Sequence, residues 1–256
     1  MAPGSGSAHT ARSGTVSARA PGPGAEDPVL VTERDHLRSS REFLQLMRED
    51  VLSLRAMGGD PVSEEYLKAD LYRRAEALVD LPGTPLFFGR LDYAGSPGDC
   101  APDAGDVAGE RLHIGRRHVH DPDGRPVVID WRAPVSRPFY RASPAEPMGL
   151  ARRRRFGFSG GELTAYEDEE FAAAGRPAAP GPGPAPSRIL IDEIERPRSG
   201  PMRDIVATIQ PDQDDIVRAG ADQTVCVQGA PGTGKTAVGL HRVAYLLYAY
   251  AERMHR

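Results

Sequence analysis

The octapeptide Gly229-Ala230-Pro231-Gly232-Thr233-Gly234-Lys235-Thr236 constrains the chain more than any other stretch. It fits the pattern G-x-x-x-x-G-K-[ST] in full. Glycines at these spacings let consecutive backbone N–H groups turn inward with no Cβ in the way. A helix opening directly after the loop aims its unsatisfied donors and partial positive charge at the same point. The apolar run Thr224-Val225-Cys226-Val227 just before it reads as a short buried strand, and an amphipathic helix is expected from the loop to the end. Such a cradle fits phosphate. Lys235 is placed to neutralise β- and γ-phosphates, and the Thr236 hydroxyl to ligate Mg²⁺. The expected ligand is ATP with Mg²⁺, held by all eight residues from Gly229 to Thr236. The bland alternative is an accidental glycine-rich turn. With Lys68 and Lys235 the only lysines among 32 Lys+Arg, accident has little opportunity.

The bulk of the chain sets wider bounds. A length of 256 residues makes one or two domains, and 28 Gly with 24 Pro make it rich in loops. A net charge of −4 gives no global reason to bind nucleic acid or an acidic membrane, so any such contact needs a local patch. Cys100 and Cys226 lie too far apart for metal-like spacing, and Cys226, in its apolar run, is expected to be a reduced core thiol. Neither a signal peptide nor an apolar run of about 18 residues is present, so a cytoplasmic location without a membrane partner is expected.

Five segments follow from composition and period. Residues 1–28 are Ala, Gly, Ser, Pro and Thr with scattered Arg, too poor in apolar groups to offset ordering entropy, and are expected to be a disordered tail. Residues 29–80 read as a helical hairpin. Leu30, Leu37, Leu44 and Val51 stand seven apart, Met47 and Leu54 fill the complementary positions, and the stripe predicts an antiparallel coiled coil. Gly58-Gly59-Asp60-Pro61 breaks the first helix, and either Asp60 or Ser63 caps the second, along which Tyr66, Leu67, Leu71, Ala75 and Leu78 recur at helical spacing. Residues 81–173 read as β-rich, with strands at Phe87–Tyr93, Pro138–Arg141 and Leu163–Tyr166. A hairpin joins Arg111–His120 to Pro126–Trp131 through Asp121-Pro122-Asp123-Gly124. Residues 174–187 are a Pro/Gly linker, and residues 188–256 begin a P-loop domain, with helical stretches at Met202–Ile209 and Gln213–Arg218. The expected fold class is α/β: an incomplete RecA-like P-loop NTPase core preceded by the hairpin and the β-rich segment.

Ile209-Gln210-Pro211-Asp212-Gln213 precedes the expected strand by a short helix, a spacing similar to the adenine-reading glutamine motif of superfamily 1 helicases. Gln213 is the residue whose amide, donating and accepting at once, would pair with the adenine edge. Longer stretches resemble one branch of that UvrD-like group, the HelD-like ATPases that recycle bacterial RNA polymerase. They are Ile114-Gly115-Arg116-Arg117-His118-Val119-His120, the run from Val128 through Asp130-Trp131-Arg132-Ala133-Pro134 to Tyr140, Arg153-Arg154-Arg155-Phe156, Asp192-Glu193-Ile194, and Met202-Arg203-Asp204-Ile205-Val206. The resemblance spans about Leu30 to the last residue. It implies a helicase-like ATPase that associates with RNA polymerase through an N-terminal helical hairpin and helps release it from nucleic acid, with DNA a further possible partner.

In one respect the chain departs from that family. Residues 237–256 hold Glu252 as their sole acid, so no Walker B carboxylate pair follows the loop, and no arginine finger is identified. The chain is expected to be the N-terminal piece of a longer protein that does not turn over ATP alone, and no catalytic residue is assigned in it. Two other readings stand beside this one: a fragment of a DNA-translocating superfamily 1 helicase, and a non-catalytic partner-binding module with a vestigial P-loop.

Three smaller constellations divide between function and structure. His118 and His120, with Asp121 and Asp123 beyond, could hold a metal, though a turn explains both aspartates and a third ligand is unassigned. Arg152–Arg155 would meet phosphate or an acidic partner, or else pair with Glu167, Asp168, Glu169 and Glu170 as a solvated strand edge. Trp131, the only tryptophan, is expected in the core rather than stacked on a base.

Overall fold

Asp27 begins the ordered architecture. Its carboxylate accepts the Val29 N–H at 2.9 Å and Pro28 takes the first helical position, opening α1 (Pro28–Ser53). Asp60 repeats the device on Val62 and Ser63, with Pro61 behind it, and opens α2 (Pro61–Ala77). The computed structural model describes residues 17–18, 26–55, 57, 59–95, 107–171, 187–195 and 205–254. Most of the 1–28 tail, most of the Pro/Gly linker and Cys100 lie outside these residues.

The heptad-spaced leucines do not build a coiled-coil seam. Leu30, Leu37 and Leu44 are buried against a β-sheet, in a cluster with Phe87, Val119, Val128, Phe156, Leu163 and Tyr166. A stripe on one helix says where its apolar face lies, not what covers it, and here a sheet covers it. In α2 only Ala75 is buried, and Tyr66 and Tyr72 stand exposed. The two helices meet along the second half of α1, where Arg48 Nε donates to Ala75 O at 3.2 Å and Arg41 pairs with Asp80 at 2.6 Å.

The sheet holds β1 (Ser17–Ala18), β2 (Phe87–Tyr93), β3 (Arg111–Gly115), β4 (Val119–His120), β5 (Pro126–Asp130), β6 (Leu150–Ser159) and β7 (Glu162–Glu170), in the order β1-β7-β6-β2-β3-β5-β4. All neighbours are antiparallel except β3 and β5, so the sheet is mixed and the molecule is mixed α/β. The expected hairpin turn is present, with Gly124 N bonded to Asp121 O at 2.9 Å and φ +80° at Gly124. The strand expected over Arg111–His120 divides in two. At Arg116 and Arg117 the chain leaves β3, and their guanidiniums bond Pro85 O and the Ala77 and Val79 carbonyls.

Pro138–Arg141, read from sequence as a strand, is the short helix α3. Prolines open both the 3-10 turn Pro134–Ser136 and α3, and the Ser136 hydroxyl donates to Asp130 O at 2.8 Å to fix the bend. Phe139 of α3 lies directly on Gly89 of β2, where any Cβ would overlap its ring. Around it the second face of the sheet gathers Phe88, Leu91, Leu112, Ile114, Trp131, Tyr140 and Phe171, with Val206, Ile209, Val217 and Val238 from the far end of the chain. Of the helix expected over Met202–Ile209, the described part is a turn closed by Thr208 N to Ile205 O at 2.8 Å.

Arg152–Arg155 fall on β6, which lies between β7 and β2 rather than at an edge. Arg152, Arg153 and Arg154 bond Glu170, Glu169 and Asp168 across the β6–β7 pair, as the structural alternative required, but Arg153 and Arg154 are buried rather than solvated. Arg154 also reaches through to Glu33 of α1 at 2.8 Å. Glu33 is buried, and it accepts from Arg90 and, at 2.8 Å, from His113 Nε2, which must carry the proton because a carboxylate only accepts. Burial alone would raise the Glu33 carboxyl, but His113, Arg90 and Arg154 bring it down to about 2. Burial pushes His113 down to about 4 against the pull of Glu33, and lowers His36, which stacks on it at 3.7 Å.

Candidate nucleotide-binding site

The glycine-rich loop bends as its sequence requires. Gly232 and Gly234 take φ of +84° and +82°, which side chains with a Cβ rarely adopt, and Gly234 caps α6 (Lys235–Ala249). Lys235 Nζ donates to Gly229 O at 2.9 Å and Ala230 O at 2.8 Å, and Thr233 Oγ1 donates to Ala230 O at 2.9 Å. Ala230, Pro231, Gly232, Thr233 and Thr236 are exposed, while Ala237 and Val238 just behind them are buried and anchor the helix. The lysine thus bridges uncharged carbonyls across the mouth of the loop. A phosphate oxygen there would offer it a stronger, charge-assisted bond.

Two arginines hold α6 to the rest of the molecule. Arg242 donates to Ile216 O, Ala219 O and Gly220 O at 3.0, 2.6 and 2.9 Å, tying α6 to the end of α5 (Pro211–Arg218). Arg218 of α5 donates to Trp131 O at 2.6 Å and Arg132 O at 3.2 Å, with Asp214 Oδ1 on its Nε at 2.8 Å. Trp131 is buried beside His241 of α6 at 5.8 Å, so its place is the core. The Arg132 guanidinium bonds Asp130 and lies 4.8 Å over the Tyr248 ring of α6. Hydrogen bonding to Asp130, against the cost of burial, raises the Arg132 pKa.

Gln213 sits in the first turn of α5, which packs on α6. Its side-chain oxygen accepts the Gln210 N–H at 3.1 Å, which leaves one lone pair of the amide oxygen for another donor. The expected strand at Thr224–Val227 is not formed, and Cys226 is exposed rather than a core thiol. A buried strand needs neighbours, and no described strand lies beside this segment. The Thr236 hydroxyl is exposed, and among the described residues no cluster of three or more His, Cys, Asp or Glu could hold a metal. A Mg²⁺ ion arriving with a triphosphate would draw on the Thr236 hydroxyl, the exposed oxygen at the start of α6. Asp121 Oδ1 accepts from Asp123 N at 2.9 Å and Arg125 N at 2.8 Å, so that aspartate is used by the turn. His118 is lowered by burial.

Sequence reasoning missed the buried charge cluster of Glu33, Arg90, His113 and Arg154. Its signal was present: four arginines at 152–155 and four acids at 167–170 mirror each other about the turn at Gly160 and Gly161.

A mixed sheet with a long helix on one face and a glycine-loop helix fastened to the other defines a mixed α/β protein. The chain belongs to the family described as DNA helicase IV HelD, N-terminal domain, whose sequence model matches residues 30–180. That match takes in α1, α2 and strands β2–β7, and ends before α5, the glycine loop and α6. No curated protein matches the chain. No described helix is long and apolar enough to cross a membrane.

Proposed function

We propose that the chain binds ATP with Mg²⁺ on the Gly229–Thr236 loop, as the front portion of a HelD-like ATPase that associates with bacterial RNA polymerase and helps release it from nucleic acid. The observation that carries this reading is the loop itself. Two left-handed glycines open α6, and Lys235 lies across backbone carbonyls that an anion would replace. Membership of the HelD N-terminal family supports the polymerase part, and α2 has the form of a contact element because Tyr66, Tyr72 and Val62 stand exposed on it. In this reading residues 188–256 are the start of a RecA-like core, and Thr224–Val227 becomes a strand when neighbours lie beside it. Calorimetric titration of ATP·Mg²⁺ tests the site: heat that saturates in the native chain and vanishes in Lys235→Ala supports it. Equal absence of heat in both sinks it and leaves the partner-binding module, a reading that the Thr224–Val227 segment, which forms no strand, favours. Retention of RNA polymerase by the same protein, lost when Tyr66 and Tyr72 are replaced by serine, decides the partner.

A further inference from the structure

Strands β6 and β7 set four arginines against four acids in successive register: Arg152 with Glu170, Arg153 with Glu169, Arg154 with Asp168 and Arg155 with Glu167. Three of these pairs are closed, with Nε to carboxylate oxygen distances of 2.6, 3.0 and 2.6 Å. The fourth is open. Glu167, 4% exposed, has turned its carboxylate to the start of α4 (Arg188–Glu195), where Oε1 accepts Arg188 N at 2.9 Å and Ile189 N at 3.2 Å, and Oε2 accepts the Ser187 hydroxyl. Arg155 is left without its cross-strand counter-ion. Among the described residues its guanidinium makes no hydrogen bond and no ion pair, and it lies 4.8 Å over the Phe139 ring. Partial burial, with Arg153 nearby, lowers its pKa. The side chain is half-buried, and no described group accepts from its guanidinium, so its five donors are left to be met from the space it faces.

The same residue lines a cavity of about 80 Å³ between the sheet and α4, walled also by Phe88, Phe156, Phe158 and Leu190. Arg116 and Glu193 border it as well; Arg116 donates to Pro85 O at 2.7 Å. We propose that this cavity binds a small organic monocarboxylate, whose two oxygens close the fork that Glu167 leaves open and whose short apolar body rests on the phenylalanines. Shape and charge select this class. The planar guanidinium matches a carboxylate bidentately. A single water needs about 10–15 Å³ of such space, so the cavity admits a small ligand of several heavy atoms. Glu193 offsets one of the two arginines, so a monoanion fits better than sulfate or phosphate. This site stands apart from the glycine loop and does not depend on it.

The test titrates the whole chain with propionate at constant ionic strength and follows the arginine Nε–H signals by nuclear magnetic resonance. One Arg Nε–H is expected to move saturably, to move equally in Lys235→Ala, and not to move in Arg155→Met. The methionine variant keeps an apolar stem over Phe139 and is expected to retain the fold. Should it fail to fold, Arg155→Lys decides, because it keeps the charge without the fork and is expected to bind at least about tenfold more weakly. Shifts that stay linear to tens of millimolar, shifts that persist in the Arg155 variants, or equal binding of sulfate overturn the proposal.

Discussion

Acid should loosen the grip of α1 on the sheet well before it protonates the bulk of the surface carboxylates. His113 is the reason. It is buried beside Glu33, Arg90 and His36, and its pKa falls from 6.5 to about 4. In the folded chain it is neutral through that window, whereas the unfolded chain takes up a proton below 6.5. The stability it contributes is therefore whole above pH 6.5 and is lost progressively as the pH falls toward 4. At 1.36 kcal/mol per pH unit, the loss between pH 7 and pH 5 is about 2 kcal/mol, and about 3 kcal/mol is the full span. His36, also lowered by burial, acts in the same direction. Glu33, brought down from 4.5 to about 2, adds its own loss only below about pH 4.5. Urea unfolding read through the fluorescence of Trp131, the single tryptophan and a core residue, measures this directly. His113→Gln supplies the control, since its amide still donates to Glu33 but does not titrate. The stability of that variant should depend less steeply on pH between 7 and 5, by about 2 kcal/mol. An unfolding free energy that is level from pH 7 to 5 in the native chain, or equally steep in the variant, refutes the assignment of a neutral buried imidazole.

Four further substitutions probe the two faces of the sheet. Gly89→Ala drives a methyl into the Phe139 ring and should cost about 1–3 kcal/mol, largely recovered by adding Phe139→Leu, as a denaturant double-mutant cycle would show. Leu44→Ala, at a fully buried position, should cost about 2–5 kcal/mol in the same measurement, whereas Leu52→Ala, on the exposed side of α1, should change stability by under about 0.5 kcal/mol.

The helices and the longest apolar strand were legible because their signals are local. Asp27-Pro28 and Asp60-Pro61 are helix starts written in sequence, and β2 falls on Phe87–Tyr93 as the apolar run predicts. What failed was whatever depended on a partner far along the chain. The leucine stripe of α1 is readable, but the sheet that covers it is assembled from residues 87–166. Strand β6 was legible only as a solvated edge, because arginines occupy positions where period-two reasoning asks for apolar groups; Arg153 and Arg154 are buried where β7 brings acids opposite them. Pro138–Arg141 carries strand-forming aromatics, yet the proline-led bend before it imposes a helix. In the candidate site, the positive-φ glycines and Lys235 lie as the motif dictates. The strand meant to precede them does not form, because sheet pairing is a property of neighbours that four residues cannot encode.

The single core on the second face of the sheet sets a limit on how the chain can be divided. Val206, Ile209, Val217 and Val238 pack with Leu112, Trp131 and Phe139, although the stretch that defines the family ends at residue 180. A piece cut at that point would carry every family hallmark and an open wound of apolar side chains, with Tyr140 robbed of its acceptor at Val206 O. Kinship here is recorded over one span of sequence, and independence as a folded body belongs to a longer one.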